Sequence, residues 1–411
     1  MVAIVRLVLV VILFVASLLT VTPAPSNFAW EASIAVNEWG HYLAILGLLL
    51  IIPGWTTRLG KISAAFALAA TILLLSPLVR GITVGRGLPF KLRVAFGAVQ
   101  PRSLPGAPPR DKPISFETLF RKPPSPEVRM TTMTYVTRDG TPLMLDLYRR
   151  DRVLPPAPLV IAIHGGSWRS GGRADLPALN SYLAARGYVV ASPEYRFAPQ
   201  FPHPAASEDI VTVVSFLKAN SAQFGIDTTR IVMLGRSAGA QLALLYAYTA
   251  KDPAVKGVVS LYGPTDQKWG WDNPSNPRVY NSAETLRQFL NGDPSTAADA
   301  YRTSSPLNFV GPGTPPTLMI HGTMDPLVSV KQSARLDSAL HAVDSRPFGN
   351  VSLPVIPLSA RAPHLFIELP WATHGCDYVF NGPCGHISTY AIERFVAAVT
   401  GGQHDPGYKF F

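Results

Sequence analysis

Three long apolar runs open the chain, and a shorter-period pattern follows them. Residues 7–30 carry no charge, and the run is long enough to cross roughly 30 Å of hydrocarbon. A second run, 42–53, is shorter; Trp39 and Trp55 flank it as interfacial anchors would, standing about 24 Å apart along a helix. The third, 62–79, lies between Lys61 and Arg80. Together they predict a membrane region over residues 1–80, with candidate spans at 7–27, 41–57 and 62–79. Buried helices of a soluble protein are the competing reading, and for the first run so is a cleaved signal peptide. Three such runs within 80 residues favour spans, and a retained anchor is expected.

Between residues 101 and 126 eight prolines fall in 26 positions, which forbids continuous helix or central strand. Residues 81–128 therefore read as a basic, Pro-rich linker. Beyond it, β-rich runs at 130–136, 142–148, 159–164, 188–193, 230–235, 257–262, 316–321 and 365–369 alternate with helical patterns. Those patterns lie at 175–186, 206–221, 238–250, 329–342 and 387–399. Asp139-Gly140 is a hairpin turn signal between the first two runs, and strict alternation afterwards implies a mostly parallel sheet of about eight strands covered by helices. The expectation is an α/β domain over 129–411. Residues 264–314, with Trp269, Trp271 and many Pro and Asn, read as a small cap inserted into it.

Composition sharpens this picture. The 411 residues are 47% apolar and 15% charged, which excludes disorder and fits one large domain or two modest ones. The net charge of +10 is uneven: residues 1–112 hold ten basic and three acidic side chains, the other 299 hold 26 and 23. The excess sits beside the apolar runs, where attraction to anionic lipid accounts for it better than nucleic-acid binding. Two cysteines, Cys376 and Cys384, are too few for a disulfide scaffold, and without Cys-x-x-Cys pairs no metal site is expected. An oxidising compartment would allow a local bridge between them. The loop 23–38 has Glu31 and Glu38 but no basic residue and should face outward, with Arg58 and Lys61 inside. Three spans then make a multi-pass membrane protein with the large domain extracytoplasmic. Seven basic residues between Arg80 and Lys112 argue the other way, and a second run that does not cross would leave the domain cytoplasmic.

The chemistry concentrates at strand ends. Gly235-Arg236-Ser237-Ala238-Gly239 matches G-x-S-x-G between the apolar strand Ile231-Val232-Met233-Leu234 and a helix, a placement that exposes a serine oxygen while glycines admit a cramped backbone. Ser237 is the nucleophile candidate; a helix-capping serine in a Gly-rich turn is the bland alternative. A serine hydroxyl needs a base to take its proton and a carboxylate to orient that base. Asp325 follows the strand Thr317-Leu318-Met319-Ile320, where ligand sites of α/β sheets gather, and Asp266 is its competitor. His374, in the loop Ala372-Thr373-His374-Gly375, is preferred as base over His341, His364, His386 and His404. His164-Gly165-Gly166-Ser167-Trp168 ends another apolar strand, so the amides of Gly165, Gly166 and Ala238 are candidates for an oxyanion hole, with His164 fixing the loop.

These residues together resemble the α/β-hydrolase superfamily, in its carboxylesterase/lipase branch with an HGG oxyanion motif, similar to hormone-sensitive-lipase-like and feruloyl-esterase-like enzymes. The resemblance covers about residues 128–400. It includes Glu194-Tyr195-Arg196-Phe197-Ala198-Pro199, Phe201-Pro202 and Pro204-Ala205-Ala206 with Asp209, which look like the family's YRLAPE…FPAA…D stretch. It implies hydrolysis of small-molecule or lipid carboxylic esters with no cofactor. Ser167-Trp168 in place of a third glycine resembles the HGGxW variant of arylformamidases and prenylcysteine methylesterases, so formamide or related chemistry by the same triad is an alternative. A catalytically silent, membrane-tethered interaction module is an alternative of another class; such relatives normally lose a triad member, and none is lost here. The family's His-Gly-Phe is here His374-Gly375-Cys376, and a Cys376–Cys384 bridge would pin the loop behind His374. Ser167, Trp168, Tyr262 and Trp371 are expected to line the substrate pocket.

Overall fold

The computed structural model describes residues 2–52, 55–121, 127–150, 156–344, 362–401 and 403–404. Pro53 and the pair Pro123-Pro124 lie outside them. Four helices come first: α1 (Val2–Ser17), α2 (Asn27–Glu38), α3 (Gly40–Ile51) and α4 (Arg58–Phe96). The sheet strands are β1 (Val128–Arg138), β2 (Thr141–Arg150), β3 (Ala157–Ile163), β4 (Val189–Pro193), β5 (Ile226–Arg236), β6 (Val255–Leu261), β7 (Thr317–Gly322) and β8 (His364–Leu369). Between and after them run α5 (Pro177–Ala185), α6 (Ala205–Ala219), α7 (Ala238–Thr249), α8 (Gln267–Asp272), α9 (Ser282–Leu290), α10 (Ala298–Thr303), α11 (Lys331–Asp344) and α12 (Pro383–Thr400).

The eight strands form one sheet in the order β1-β2-β4-β3-β5-β6-β7-β8. β1 and β2 make the antiparallel hairpin anticipated at Asp139-Gly140, where both residues take positive φ (47° and 76°), as a tight hairpin turn with the strands' own twist requires. β2 also runs antiparallel to β4, and every later pairing is parallel. Along β3 the side chains alternate between faces: Leu159, Ile161 and Ile163 enter one core, Val160 and Ala162 the other. Both faces are buried, which is why the strand reads as an unbroken apolar run. Helices α6, α7 and α11 cover the first face, and α5, α12 and the far half of α4 the second. The cap holds α8, α9 and α10.

The N-terminal helices are packed onto this domain. Helices α1, α3 and α4 form a bundle in which small residues set the spacing: a Cβ on Gly40 would stand 2.3 Å from the Leu74 carbonyl oxygen, the close approach that favours glycine between apolar helices. Arg6 Nε donates to the Leu50 carbonyl at 2.9 Å. By length and composition two helices, 3–20 and α4, suffice to cross a membrane, and the α2–α3 pair, bent by 80°, would make a third if taken as one span.

Two expectations are corrected. The apolar run ends at Arg80, but its helix does not: α4 continues through Pro77 and Pro89 to Phe96, and its buried positions Leu78, Gly81, Gly85, Leu88 and Leu92 recur at helical spacing. Nor is the Pro-rich stretch a detached spacer. Ala107, Arg110 and Leu119 are buried, and the Arg110 amide donates to Glu393 of α12. Among the described residues proline limits regular structure there to one short helix, Phe116–Phe120, without forbidding packing.

Candidate active site

Ser237 stands at the turn between β5 and α7 with φ 52° and ψ −122°, a conformation that L side chains rarely adopt. The two flanking glycines make it feasible. A Cβ on Gly235 would come within 2.1 Å of the Gly239 carbonyl oxygen, and one on Gly239 within 2.3 Å of the carbonyl oxygens of Ile163 and His164. The turn therefore closes on itself and on the end of β3, lifting the serine hydroxyl off the strand.

His374, in the loop after β8, places Nε2 3.0 Å from Ser237 Oγ and Nδ1 2.7 Å from Asp325 Oδ2. Asp325 lies just past β7 with its side chain fully buried. Its Oδ1 accepts the amides of Leu327 and Val328, each at 2.9 Å. Its Oδ2 also lies 3.1 Å from His321 Nε2, which is 2.9 Å from the Val328 carbonyl. A carbonyl can only accept, so His321 Nε2 carries the proton, and Nδ1 faces Ser333 Oγ at 2.8 Å. Burial alone would raise the Asp325 pKa; the two imidazoles and the hydrogen bonds reverse this and hold it well below the usual carboxylate range. An ionised Asp325 requires N–H at His374 Nδ1, leaving Nε2 free to accept the serine proton.

A second layer ties the turn to the histidine loop. Arg236, buried immediately before Ser237, pairs with Asp377 at 2.5 Å, Tyr262 donates its hydroxyl to the same carboxylate, and the Tyr262 ring stands 4.5 Å from the His374 ring. Cys376 and Cys384 are joined by a disulfide around Asp377. Glu38 reaches the same loop from α2, accepting from Trp371 Nε1 at 3.3 Å and the Cys384 amide at 2.8 Å. Sequence alone gives Arg236, Asp377 and His321 no role in the site, and gives Glu38 only a place in the charge pattern. Arg236, Asp377 and Glu38 act through partners more than 110 residues away, so local pattern carries no signal for them, whereas His321 lies only four residues before Asp325 and its place at the end of an apolar strand was the available signal.

The loop after β3 brings Gly165 against the turn: a Cβ there would meet Ser237 Cβ at 3.3 Å. Gly166 takes φ 108°, and Ala238 opens α7, where a first-turn amide has no acceptor inside the helix. His164 Nδ1 bonds the Gly165 carbonyl at 2.7 Å and the ring stacks on Tyr195, so it braces this loop. A cavity of about 210 Å³ opens over Ser237, lined by Ser167, Trp168, Trp269, Tyr280, Leu286 and Val328. Tyr280 donates to Ser167 Oγ at 2.7 Å, and Trp168 is fixed by stacking on Phe289 and by donating to Gln241. Ser167 and Trp168 thus line the pocket, whereas Tyr262 and Trp371 do not. Both are buried behind His374, held there by Asp377 and Glu38, and serve the loop. The competitors are engaged elsewhere: Asp266 caps α8 and pairs with Arg335, His341 and His364 face each other, and His386 lies beside Thr118. The His404 side chain lies outside the described set.

Solved structures with a similar fold include a hyperthermophilic esterase from Pyrobaculum calidifontis, 24% identical with a TM-score of 0.54 over 68% of this chain and 85% of that one. A thermophilic esterase from the Planctomycetes species Thermogutta terrifontis gives 19% and 0.51 over 68% and 95%. The fold is that of the α/β-hydrolases. Residues 145–340 of this α/β-hydrolase domain match the BD-FAE family. Esterase LipC of Mycobacterium tuberculosis is 31% identical over 276 residues, 64% of this chain and 63% of that protein. LipM of the same organism, a probable carboxylic ester hydrolase, is 28% identical over 281 residues, 64% and 60%. The chain thus spans about three fifths of the length of these relatives.

Proposed function

We propose that this protein is a membrane-anchored serine hydrolase that cleaves carboxylic esters. The observation that carries the reading is the line from Ser237 through His374 to Asp325 at 3.0 and 2.7 Å, mounted on an α/β-hydrolase sheet. In this reading Ser237 Oγ attacks the acyl carbon while His374 Nε2 takes its proton. Asp325, already ionised, holds the imidazole tautomer and stabilises the imidazolium that forms. The amides of Gly165, Gly166 and Ala238 receive the charge on the carbonyl oxygen, where preorganised donors do most for an acyl transfer. Collapse expels the alcohol, protonated by His374; water then attacks the acyl carbon as His374 takes its proton, and the acid leaves as that proton returns to Ser237 Oγ. The names of the relatives support esters as the bond class.

The cavity of about 210 Å³ over Ser237 is smaller than the roughly 300–1,000 Å³ of sites for drug-sized ligands, which supports short acyl chains. The apolar helices support anchoring. In the bundle Arg6 meets the Leu50 and Ile51 carbonyls at one end, and Arg80 meets the Thr20 and Pro370 carbonyls at the other. Three crossings, the second made by the short α3 alone, would then leave the hydrolase domain on the side of the 21–39 segment, with Arg80, one of the seven basic residues that argue the other way, engaged by backbone carbonyls. This favours the extracytoplasmic placement.

The test is hydrolysis of p-nitrophenyl esters from acetate to palmitate by the full chain in nanodiscs. Turnover should be greatest for the short acyl chains and fall by about 10⁴-fold or more in Ser237→Ala. Equal rates in both proteins would contradict the assignment.

A further inference from the structure

Helix α2 precedes the hydrolase domain by almost 100 residues, yet one of its faces lies along the histidine loop. Trp30 Nε1 donates to the His374 carbonyl at 3.1 Å, and its ring centroid stands 6.4 Å from the His374 ring. One turn on, Ile34 lies beneath Gly375, where an added Cβ would meet Ile34 Cδ1 at 3.5 Å. One turn further, Glu38 binds Trp371 Nε1 and the Cys384 amide, and Gly382 has no room for a Cβ because Glu38 Oε2 would stand 2.3 Å from it. Residues 30, 34 and 38 share a stripe of the helix. They meet the loop before, at and after His374. At its other end α2 reaches the cap: the Asn27 amide donates to the Arg278 carbonyl at 3.2 Å and Asn27 Nδ2 to the Val279 carbonyl at 3.4 Å.

We infer that Trp30 is a positioning residue for His374, so that the membrane-proximal helix completes the active site instead of merely tethering it. The inference rests on the proposed Ser237–His374–Asp325 chemistry. The imidazole is aimed by Asp325 on one ring nitrogen, by the Tyr262 ring packed 4.5 Å from its own, and by the path of its own backbone. The carbonyl that Trp30 holds belongs to His374 itself, and the next residue, Gly375, takes φ 78°. A loop that turns sharply there transmits a small backbone shift directly to the ring. The Cys376–Cys384 bridge closes the far side of the loop, and Glu38 anchors both of its shoulders, which leaves Trp30 as the described contact from α2 to the His374 backbone.

The experiment compares the full-length protein with Trp30→Phe, both in nanodiscs. Phenylalanine keeps an aromatic ring but deletes the N–H donor together with the second ring of the indole. Active sites are counted first with a fluorophosphonate that reacts with the nucleophilic serine, and kcat and KM for p-nitrophenyl butyrate are then expressed per counted site. The expected result is a kcat per site lower by roughly ten- to a hundredfold, the size of effect that sub-ångström to ångström misplacement of a reacting group produces, with KM within about twofold. Glu38→Gln, which leaves a single acceptor oxygen for the two donors it serves, should shift kcat in the same direction. Unchanged kcat per site in Trp30→Phe would overturn the inference. So would a loss that appears only as fewer counted sites, because that is the signature of a helix needed for folding alone. Failure of Ser237→Ala to abolish labelling would instead overturn the underlying chemistry, and the two failures read differently.

Discussion

Gly235 and Gly239 pack so closely around Ser237 that the G-x-S-x-G spacing is a steric requirement of the turn, which is why this part of the site could be read from five adjacent letters. The contacts behind it could not. Arg236 and Asp377 meet across 141 positions and Tyr262 and Asp377 across 115, and nothing local distinguishes such an aspartate from one in an ordinary loop. Asp325 carries a prediction of its own. Its carboxyl is held well below the ordinary range by His374 and His321 against the cost of burial, whereas in the unfolded chain it titrates near about 3.9. The folded chain therefore binds fewer protons there, and the stability Asp325 contributes is complete above about pH 5 and is lost as pH falls toward the depressed folded value. Melting temperature measured from about pH 5 to pH 2 should fall less steeply in Asp325→Asn than in the parent, over the window where this group alone differs. Turnover at neutral pH should drop by about 10⁴-fold in the same variant, because an amide no longer enforces the tautomer that frees Nε2.

Among the elements, all eight sheet strands and the five helices expected beyond residue 129 coincide with the observed ones to within a few residues, because hydrophobic period and turn chemistry are local properties. Helix α4 shows where that reading fails. Its second half is basic, contains Pro89 and three glycines, and reads as linker by composition, yet Gly81, Gly85, Leu88 and Leu92 repeat at a helical interval and bury against α12 and the sheet. The glycines serve the packing: a Cβ on Gly81 would meet Ile114 at 2.8 Å and Pro383 at 3.3 Å. Leu88 is 1% exposed. Truncating it to alanine should cost about 2–5 kcal/mol, measured by thermal or denaturant unfolding of the full chain in detergent. A detached linker would make the same substitution neutral. Helix α2 escaped notice for a related reason: as a short connection between apolar runs it offered only two acids for a topology argument, and the use of Glu38 depends on a loop more than 330 residues away.

For the whole molecule, the sequence suggests three modules in series, a membrane region, a spacer and a hydrolase. The structure joins them laterally. Arg80 hydrogen-bonds both the Thr20 carbonyl and the Pro370 carbonyl, Arg110 and Glu393 tie the Pro-rich stretch to α12, and α2 lies between the bundle and the histidine loop. On the proposed function, a site built from β5, β7, β8 and a helix that adjoins the apolar bundle would couple chemistry to anchoring in a way a flexible tether would not. The central claim remains the nucleophile. The most direct measurement is to treat the full-length protein in its membranes with a fluorophosphonate probe and map the modified peptide by mass spectrometry. One adduct is expected, on Ser237, absent in Ser237→Ala and formed more slowly in Asp325→Asn. No adduct, or an adduct on another residue that survives Ser237→Ala, would contradict that claim.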